Sequence, residues 1–139
     1  MILSKANLSK INGNLVAKPN IEVLALPEKV IQFGTGVLLR GLPDYFIDKA
    51  NRQGVFHGRV LVVKSTSTAA ADAFSNQDNL YTVCVKGIEN GENTEEYIIN
   101  SSISRVLSAS QNWAEILKAA HNPEMQVVIS NTTEVGIVM

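Results

Sequence analysis

A glycine-rich turn directly after an apolar run is the clearest sign of chemistry in this chain. Val30-Ile31-Gln32-Phe33 is the apolar run, and Gly34-Thr35-Gly36 follows it. Glycine at 34 allows a sharp turn at the end of a strand, and glycine at 36 allows the backbone to approach a bound group closely. Backbone N–H groups in such a turn bind the pyrophosphate of a dinucleotide. The spacing therefore predicts a dinucleotide-binding site.

The third glycine of the usual Gly-x-Gly-x-x-Gly pattern is missing. It would fall at Leu39, and the next glycine, Gly41, comes two positions later. Turns of this kind also occur in packing roles, so the turn by itself is weak evidence for a cofactor. Pro43 leaves two alternatives, because proline is disfavoured inside a helix and favoured at its first position. Either the first helical turn is irregular, or the regular helix begins near Pro43.

The segments around the turn have the spacing of a strand–helix–strand unit. Apolar residues after the turn recur at three- and four-residue steps, which predicts a helix that lays one apolar stripe on the sheet and ends at residues 51–54. Val60–Val63 is the next buried run, so we expect one βαβ unit of about 30 residues with residues 30–33 as the central strand. The predicted stripe consists of Leu38, Leu42, Tyr45, Phe46 and Ala50.

Further strands and helices are predicted downstream. Ser65–Thr68 offers caps for a short helix over Ala69–Phe74. Leu80–Val85 has strand character, and the Asn90-Gly91 pair predicts a tight hairpin into Glu96–Ile99. Ile103–Leu107 is a candidate extension of this hairpin.

A helix and a last strand follow. Ser110 is the predicted cap of a helix with Trp113, Ile116, Leu117 and Ala120 on one face. Val127–Ile129 is expected to be another buried strand.

Together these elements predict an α/β fold, namely a Rossmann-like, doubly wound and mostly parallel sheet with an antiparallel hairpin insertion. Residues 1–29, interrupted by Pro19 and Pro27, are expected to form a leader that packs on the domain, and residues 30–139 to form a domain that binds NAD or NADP. Such a sheet normally has about six strands, and this chain reaches the apolar segment Val135–Met139 without a closing helix. We therefore expect the N-terminal part of a longer polypeptide, with self-association through the unfinished sheet and this apolar segment.

Composition excludes several classes of partner. Twelve basic and thirteen acidic residues give a net charge of -1, which provides no field to hold nucleic acid or an anionic membrane.

Cys84 is the single cysteine, so an intramolecular disulfide is impossible, and we expect a buried, inert thiol. His57 and His121 stand in polar turns away from any second ligand at metal spacing, so surface positions and no metal site are expected. No run of about 18 apolar residues occurs, and the prediction is a cytoplasmic protein.

Four stretches resemble the N-terminal part of the tagaturonate reductase (altronate oxidoreductase) group in the mannitol dehydrogenase family, over about Val30 to Met139. Spacing of the form Gly34-x-Gly36-x-x-x-Arg40 is what that family has in place of a third glycine. The Gln-Asp-x-Leu-Tyr-Thr and Asn-Thr-Thr-Glu motifs are more specific. The four stretches are Phe33–Gly36 with Arg40, Val62–Thr66, Gln77–Val83 and Ile129–Glu134.

The resemblance implies an NAD-dependent oxidoreductase that interconverts tagaturonate and altronate by hydride transfer in hexuronate catabolism, without a catalytic metal. It places the acid–base groups in a second, mostly helical domain, so no catalytic residue is expected here, and the sugar acid binds only with that domain. On this analogy the residues lining the pyrophosphate are Gly34, Thr35, Gly36, Val37 and Leu38. The residues approaching the adenosine ribose are Lys64, Ser65 and Thr66, and those near the nicotinamide half are Asn131, Thr132 and Thr133.

Several assignments leave alternatives open. Arg40 is either a phosphate or fold anchor or a solvated helix residue. Glu134 is placed on the substrate side of the site, the alternative being a solvated loop carboxylate. Lys64 stands where NAD-selective enzymes have an acidic residue, so NADP is open beside NAD unless this side chain points into solvent. The alternative function is a non-catalytic dinucleotide-sensing or interaction module.

Overall fold

The structure, a computed structural model, describes residues 2–65 and 75–132. The helix predicted over Ala69–Phe74 and the apolar segment Val135–Met139 lie outside these residues. In the described part, six strands and three α-helices follow the 3-10 helices Lys5–Lys10 and Ile21–Ala25. The strands are β1 (Glu28–Phe33), β2 (Arg59–Lys64), β3 (Tyr81–Glu89), β4 (Glu92–Asn100), β5 (Ile103–Ser108) and β6 (Val127–Ser130). The helices are α1 (Val37–Gly41), α2 (Pro43–Arg52) and α3 (Trp113–Ala120).

Four of these strands form a parallel sheet in the order β5-β2-β1-β6. Residues 30–33 were predicted to form the central strand, and β1 is one of the two inner strands of this sheet, with a neighbour on each side. Successive residues of a strand point to opposite faces, and Val30 packs with Ile47 of α2 while Ile31 packs with Ile116 of α3. The two helices therefore cover opposite faces, and the doubly wound α/β fold is confirmed.

The hairpin is also confirmed, but its predicted extension is wrong. Strands β3 and β4 pair antiparallel around Asn90 and Gly91, both of which have positive φ. The segment predicted to extend the hairpin, Ile103–Leu107, lies instead in β5 and pairs parallel with β2. The N–H of Val60 bonds to the carbonyl of Ser102, so the chain leaves the hairpin and enters the main sheet immediately after β4.

The apolar stripe predicted after the glycine turn does not face the sheet. Leu38, Leu42 and Phe46 are 57%, 52% and 55% exposed. The helix breaks at Leu42 (φ -118, ψ -79), and α2 begins at Pro43, which is the second of the two alternatives. Helix α2 buries a polar face, whose residues are Asp44, Asp48 and Asn51.

Two details of the last helix and strand differ from expectation. Asn112, not Ser110, precedes α3, and this helix buries Ile116 and Ala119 while Leu117 is 45% exposed. Strand β6 is exposed rather than buried, with Val128 at 68% exposure. In the described sheet β6 pairs only with β1, so it lies at an edge.

The N-terminal segment packs on the hairpin side of the molecule. Leu8 is buried in one cluster with Leu80 and Ile99. Ala17 donates its N–H to the Tyr97 carbonyl and accepts a bond from the N–H of Ile99. The boundary between residues 1–29 and 30–139 stays a prediction.

Candidate dinucleotide-binding site

The turn after β1 has the geometry that requires glycine at position 34. Gly34 has φ +115, and a Cβ there would lie 3.0 Å from the Leu39 side chain. Its N–H bonds to the Val63 carbonyl at 2.9 Å, which ties the turn to β2. Gly36 has an ordinary φ of -63, and a Cβ there would meet nothing within 4 Å. The backbone at Gly36 therefore lies beside open space that a ligand can enter.

The residues that follow Gly36 in the chain supply backbone N–H groups and exposed apolar side chains. Helix α1 spans five residues, and its first-turn N–H groups have no partner within the helix. Val37 is 76% exposed beside the turn. Because α2 begins only at Pro43, an anion at Gly36 would meet the loop and first-turn N–H groups rather than the dipole of a long helix.

Three predicted site segments meet at the carboxyl edge of the parallel sheet. Phe33 is level with Val63 on one side and with Ser130 on the other. The segments that follow these three residues therefore lie at one edge of the sheet. They are Gly34–Leu38, Lys64–Ser65 and Asn131–Thr132. In open α/β sheets, ligands bind at this edge where the strand order reverses, which here is between β1 and β6.

Three of the predicted site residues lie outside the described residues. They are Thr66, Thr133 and Glu134.

Lys64 does not point into solvent. It is 8% exposed, and its carbonyl accepts a bond from the N–H of Ala109 at 2.9 Å. The interpretation of Lys64 as a solvated strand-end residue is therefore wrong. Ser65, the next residue, is exposed at the same edge.

Arg40 faces the fold. It is half-buried, its guanidinium lies 5.9 Å from the Tyr81 ring centroid, and its carbonyl accepts a bond from the Tyr81 hydroxyl at 3.0 Å. These contacts favour the anchoring alternative over a solvated helix residue.

A buried polar pair lies beneath the turn, and the sequence analysis did not identify it. The Gln32 amide nitrogen donates to the Gly34 carbonyl at 3.3 Å and to Asp44 Oδ2 at 3.2 Å. Asn100 Nδ2 donates to the Asp44 carbonyl at 3.0 Å. Burial raises the pKa of Asp44 to about 7, against the opposing effects of the Gln32 bond and the Arg40 charge. The turn is thus supported by a carboxyl group whose pKa lies close to neutral pH.

A second carboxylate on α2 holds the helix against the crossing from β4 to β5. Asp48 Oδ1 accepts bonds from the N–H and the hydroxyl of Ser101 at 2.8 and 2.7 Å, and Arg52 Nε donates to its Oδ2 at 2.6 Å. Asn51 exchanges two bonds with the backbone of Gly58. The spacing of Asp44, Asp48 and Asn51, at i, i+4 and i+7, is the signal in the sequence that could have identified this buried polar face.

The remaining candidates lie away from this edge. Cys84 is exposed on β3, so the expectation of a buried thiol is wrong, and Cys84 Sγ lies 3.6 Å from Glu95 Oε1. His57 and His121 are exposed, as predicted. Within residues 2–65 and 75–132, no three His, Cys, Asp or Glu side chains are grouped to hold a metal ion. Among the helices described there, none has the length and apolar character needed to cross a membrane.

Comparison with known proteins gives altronate oxidoreductases as relatives. No family model matches the chain. It is 40% identical over 134 residues to an altronate oxidoreductase of Halalkalibacterium halodurans, a match that covers 94% of this chain and 26% of the relative. It is 42% identical over 112 residues to an altronate oxidoreductase of Shigella sonnei, covering 80% of this chain and 23% of the relative. The chain thus spans about a quarter of the length of these relatives.

Solved structures show the same fold. A mannitol 2-dehydrogenase of Pseudomonas fluorescens, solved as a ternary complex with NAD and D-mannitol, matches with a TM-score of 0.81 at 23% identity. The match covers 94% of this chain and 26% of that chain. A D-sorbitol dehydrogenase in substrate-free form matches with a TM-score of 0.82 at 19% identity, covering 98% and 28%. The chain is therefore similar in sequence to altronate oxidoreductases over most of its own length, and it has the fold of the matching part of a mannitol 2-dehydrogenase and a D-sorbitol dehydrogenase.

Proposed function

We propose that this chain is the NAD-binding part of an oxidoreductase that interconverts tagaturonate and altronate by hydride transfer. The observation that carries the proposal is the Gly34–Gly36 turn at the carboxyl edge of an internal parallel strand, next to Lys64–Ser65 and Asn131–Thr132. The altronate oxidoreductase relatives support the reaction, and the NAD-bound mannitol 2-dehydrogenase with the same fold supports the cofactor.

The residues present fit a dinucleotide at this edge. Open space beside Gly36 leaves room for a pyrophosphate against the backbone, and the N–H groups of Val37 and Leu38 are available to it. When bound, NAD⁺ would accept a hydride, and NADH would supply one. The chain's own contribution is to bind and orient the cofactor, since correct placement of reacting groups can supply a large part of a rate enhancement.

The remaining assignments follow from the resemblance. Lys64, Ser65 and Thr66 are proposed to approach the adenosine ribose, with Asn131, Thr132 and Thr133 near the nicotinamide and Glu134 on the substrate side. General acid–base groups and the sugar-acid contacts are assigned to a second domain. NADP stays open beside NAD, and hexuronate catabolism in the cytoplasm is part of the same proposal.

The chain is expected to bind NAD and NADH weakly. The phosphate turn is present, while the groups assigned to a second domain would be missing from the cleft, so we expect a dissociation constant of about micromolar or weaker. Calorimetric titration with NAD, NADH and NADP measures both affinity and preference, and backbone amide shifts at Gly34 and Gly36 locate the contact. Absence of heat and of any shift at millimolar cofactor would rule out the proposed site.

Catalysis is expected only from the complete protein. With NADH and tagaturonate, the complete protein should turn over at about 1 per second or faster, whereas the 139-residue chain should show no turnover, because it would lack the proton donor and the substrate contacts. Loss of NADH absorbance measures both. Turnover by the chain alone would show that the proton donor and the substrate contacts lie within this chain and not in a second domain. NAD binding without turnover by the complete protein would favour the sensing or interaction module instead.

A further inference from the structure

Gln32 connects the glycine turn to helix α2 through its side-chain amide nitrogen, which donates two hydrogen bonds. Its two amide N–H groups point to the Gly34 carbonyl at 3.3 Å and to Asp44 Oδ2 at 3.2 Å. Both of these partners are acceptors, so the amide nitrogen, not the oxygen, must face them. Gln32 and Asp44 are both 0% exposed, so water cannot replace either bond.

The same pair leaves two acceptor atoms without a donor. Gln32 Oε1 and Asp44 Oδ1 are buried, and neither accepts a hydrogen bond of normal geometry among the described residues, since the nearby Tyr81 hydroxyl donates to the Arg40 carbonyl. A buried acceptor without a donor is costly. One proton on Asp44 Oδ1, donated to Gln32 Oε1, would satisfy both atoms and complete a cyclic pair of two hydrogen bonds between a carboxylic acid and an amide.

Several charged and titratable groups face Asp44. Arg40 of α1 and Tyr81 of β3 favour the ionised carboxylate, as does the Gln32 bond from β1, whereas burial favours the neutral acid and has the largest effect. Asp48, one turn further along α2, is engaged by Ser101 and Arg52. The resulting pKa of about 7 means that both forms of Asp44 are populated at neutral pH.

We propose that Gln32 and Asp44 are positioning residues for the Gly34–Gly36 turn, and that protonated Asp44 closes the acid–amide pair that keeps the Gln32 amide on the Gly34 carbonyl. Ionised Asp44 attracts the amide N–H groups more strongly and offers no proton to Gln32 Oε1. It therefore draws the Gln32 amide away from Gly34, and the turn loosens as the pH rises. The effect on cofactor binding rests on the function proposed above; the effect on the turn itself does not.

Substitution of Asp44 by asparagine mimics the protonated acid and removes the ionised form. Asp44→Asn has the shape of the acid, and its amide nitrogen can donate permanently to Gln32 Oε1 while its oxygen accepts from Gln32. In wild type, the backbone amide shifts of Gly34, Thr35 and Gly36 should titrate together with a midpoint near pH 7. In Asp44→Asn these shifts should stay constant over that range. Asp78→Asn is the matched control, because Asp78 Oδ2 accepts a bond from the N–H of Lys5, far along the chain. In this variant the amide shifts of the turn should titrate as they do in wild type.

Cofactor affinity provides the second measurement. Between about pH 6 and pH 8, the dissociation constant of NADH should rise about three- to tenfold for wild type and stay constant for Asp44→Asn. Gln32→Leu should weaken NADH at both pH values, because it removes the donor to the Gly34 carbonyl.

The outcomes separate this proposal from the proposed function. Amide shifts that do not titrate in wild type, or that titrate equally in Asp44→Asn, would overturn the positioning role even if NADH binds. Amide shifts that titrate in wild type and stay constant in Asp44→Asn support the positioning of the turn even if NADH does not bind, in which case only the dinucleotide function fails.

Discussion

Gly36→Asp is expected to weaken dinucleotide binding strongly while the fold stays intact. A Cβ at position 36 would meet no atom within 4 Å, and φ of -63 suits any residue, so we expect a change in the free energy of unfolding of at most about 0.5 kcal/mol. The new carboxylate would occupy the space assigned to the pyrophosphate. Two like charges about 4 Å apart near a protein surface repel by about 4 kcal/mol, so affinity should fall about a hundredfold or more.

Gly41→Asp is the matched control for this prediction. It adds the same charge at the other end of α1, also in open space, and should leave the dissociation constant of NADH within about threefold of wild type. Calorimetry gives the affinities, and thermal unfolding gives the stabilities. Wild-type affinity in Gly36→Asp would mean that the turn does not contact the ligand.

Arg59→Met is expected to cause a large loss in the free energy of unfolding, greater than that of Arg105→Met. Arg59 is 4% exposed, and its guanidinium donates to the carbonyls of Ser101, Leu24 and Ile103. Burial lowers the pKa of Arg59, against the charge of Glu28. Methionine fills similar volume but donates to none of the three carbonyls, and each buried acceptor left unpaired costs about 1 to 3 kcal/mol. A loss of about 3 kcal/mol or more in the free energy of unfolding is therefore expected, measured by denaturant titration.

Arg105→Met on the neighbouring strand β5 is the comparison for Arg59. The Arg105 side chain is 43% exposed and forms ion pairs with Glu28 at 2.8 Å and Glu115 at 3.2 Å. The Glu28 carboxylate is 18% exposed and accepts two bonds from Arg105, so this pair contributes more than an exposed one, and the loss should be about 1 to 2 kcal/mol. Equal losses in both variants would show that the three carbonyls bonded by Arg59 find other donors.

Local geometry explains which parts of the fold could be predicted from the sequence. Gly34 at φ +115 and the Asn90-Gly91 turn are positions where few residue types are tolerated, so residue type alone identifies them. Pro43 at the start of α2 follows from its fixed φ and missing N–H. The apolar runs at Val30–Phe33 and Val60–Val63 indicated parallel strands, and parallel strands bring Gly34 and Lys64 to one edge.

The spacing of apolar residues predicted the wrong buried face for the helix after the glycine turn. The apolar residues Leu42 and Phe46 have helical spacing, yet they are exposed, and Asp44 and Asp48 are buried in their place. A carboxylate is buried only where donors reach it, and these donors come from Gln32 on β1 and from Ser101, which lies 53 positions along the chain from Asp48.

The sequence by itself determined the glycine turn, the strand–helix–strand order and the resemblance to the mannitol dehydrogenase family, because these depend on residues close together in the chain. The tertiary structure decided the partner of β5, the pairing of β6 with β1 and the Gln32–Asp44 pair beneath the turn. Each of these depends on groups from distant segments that meet only after folding. The free energy of burying a polar group is set by those partners, and no local pattern contains them.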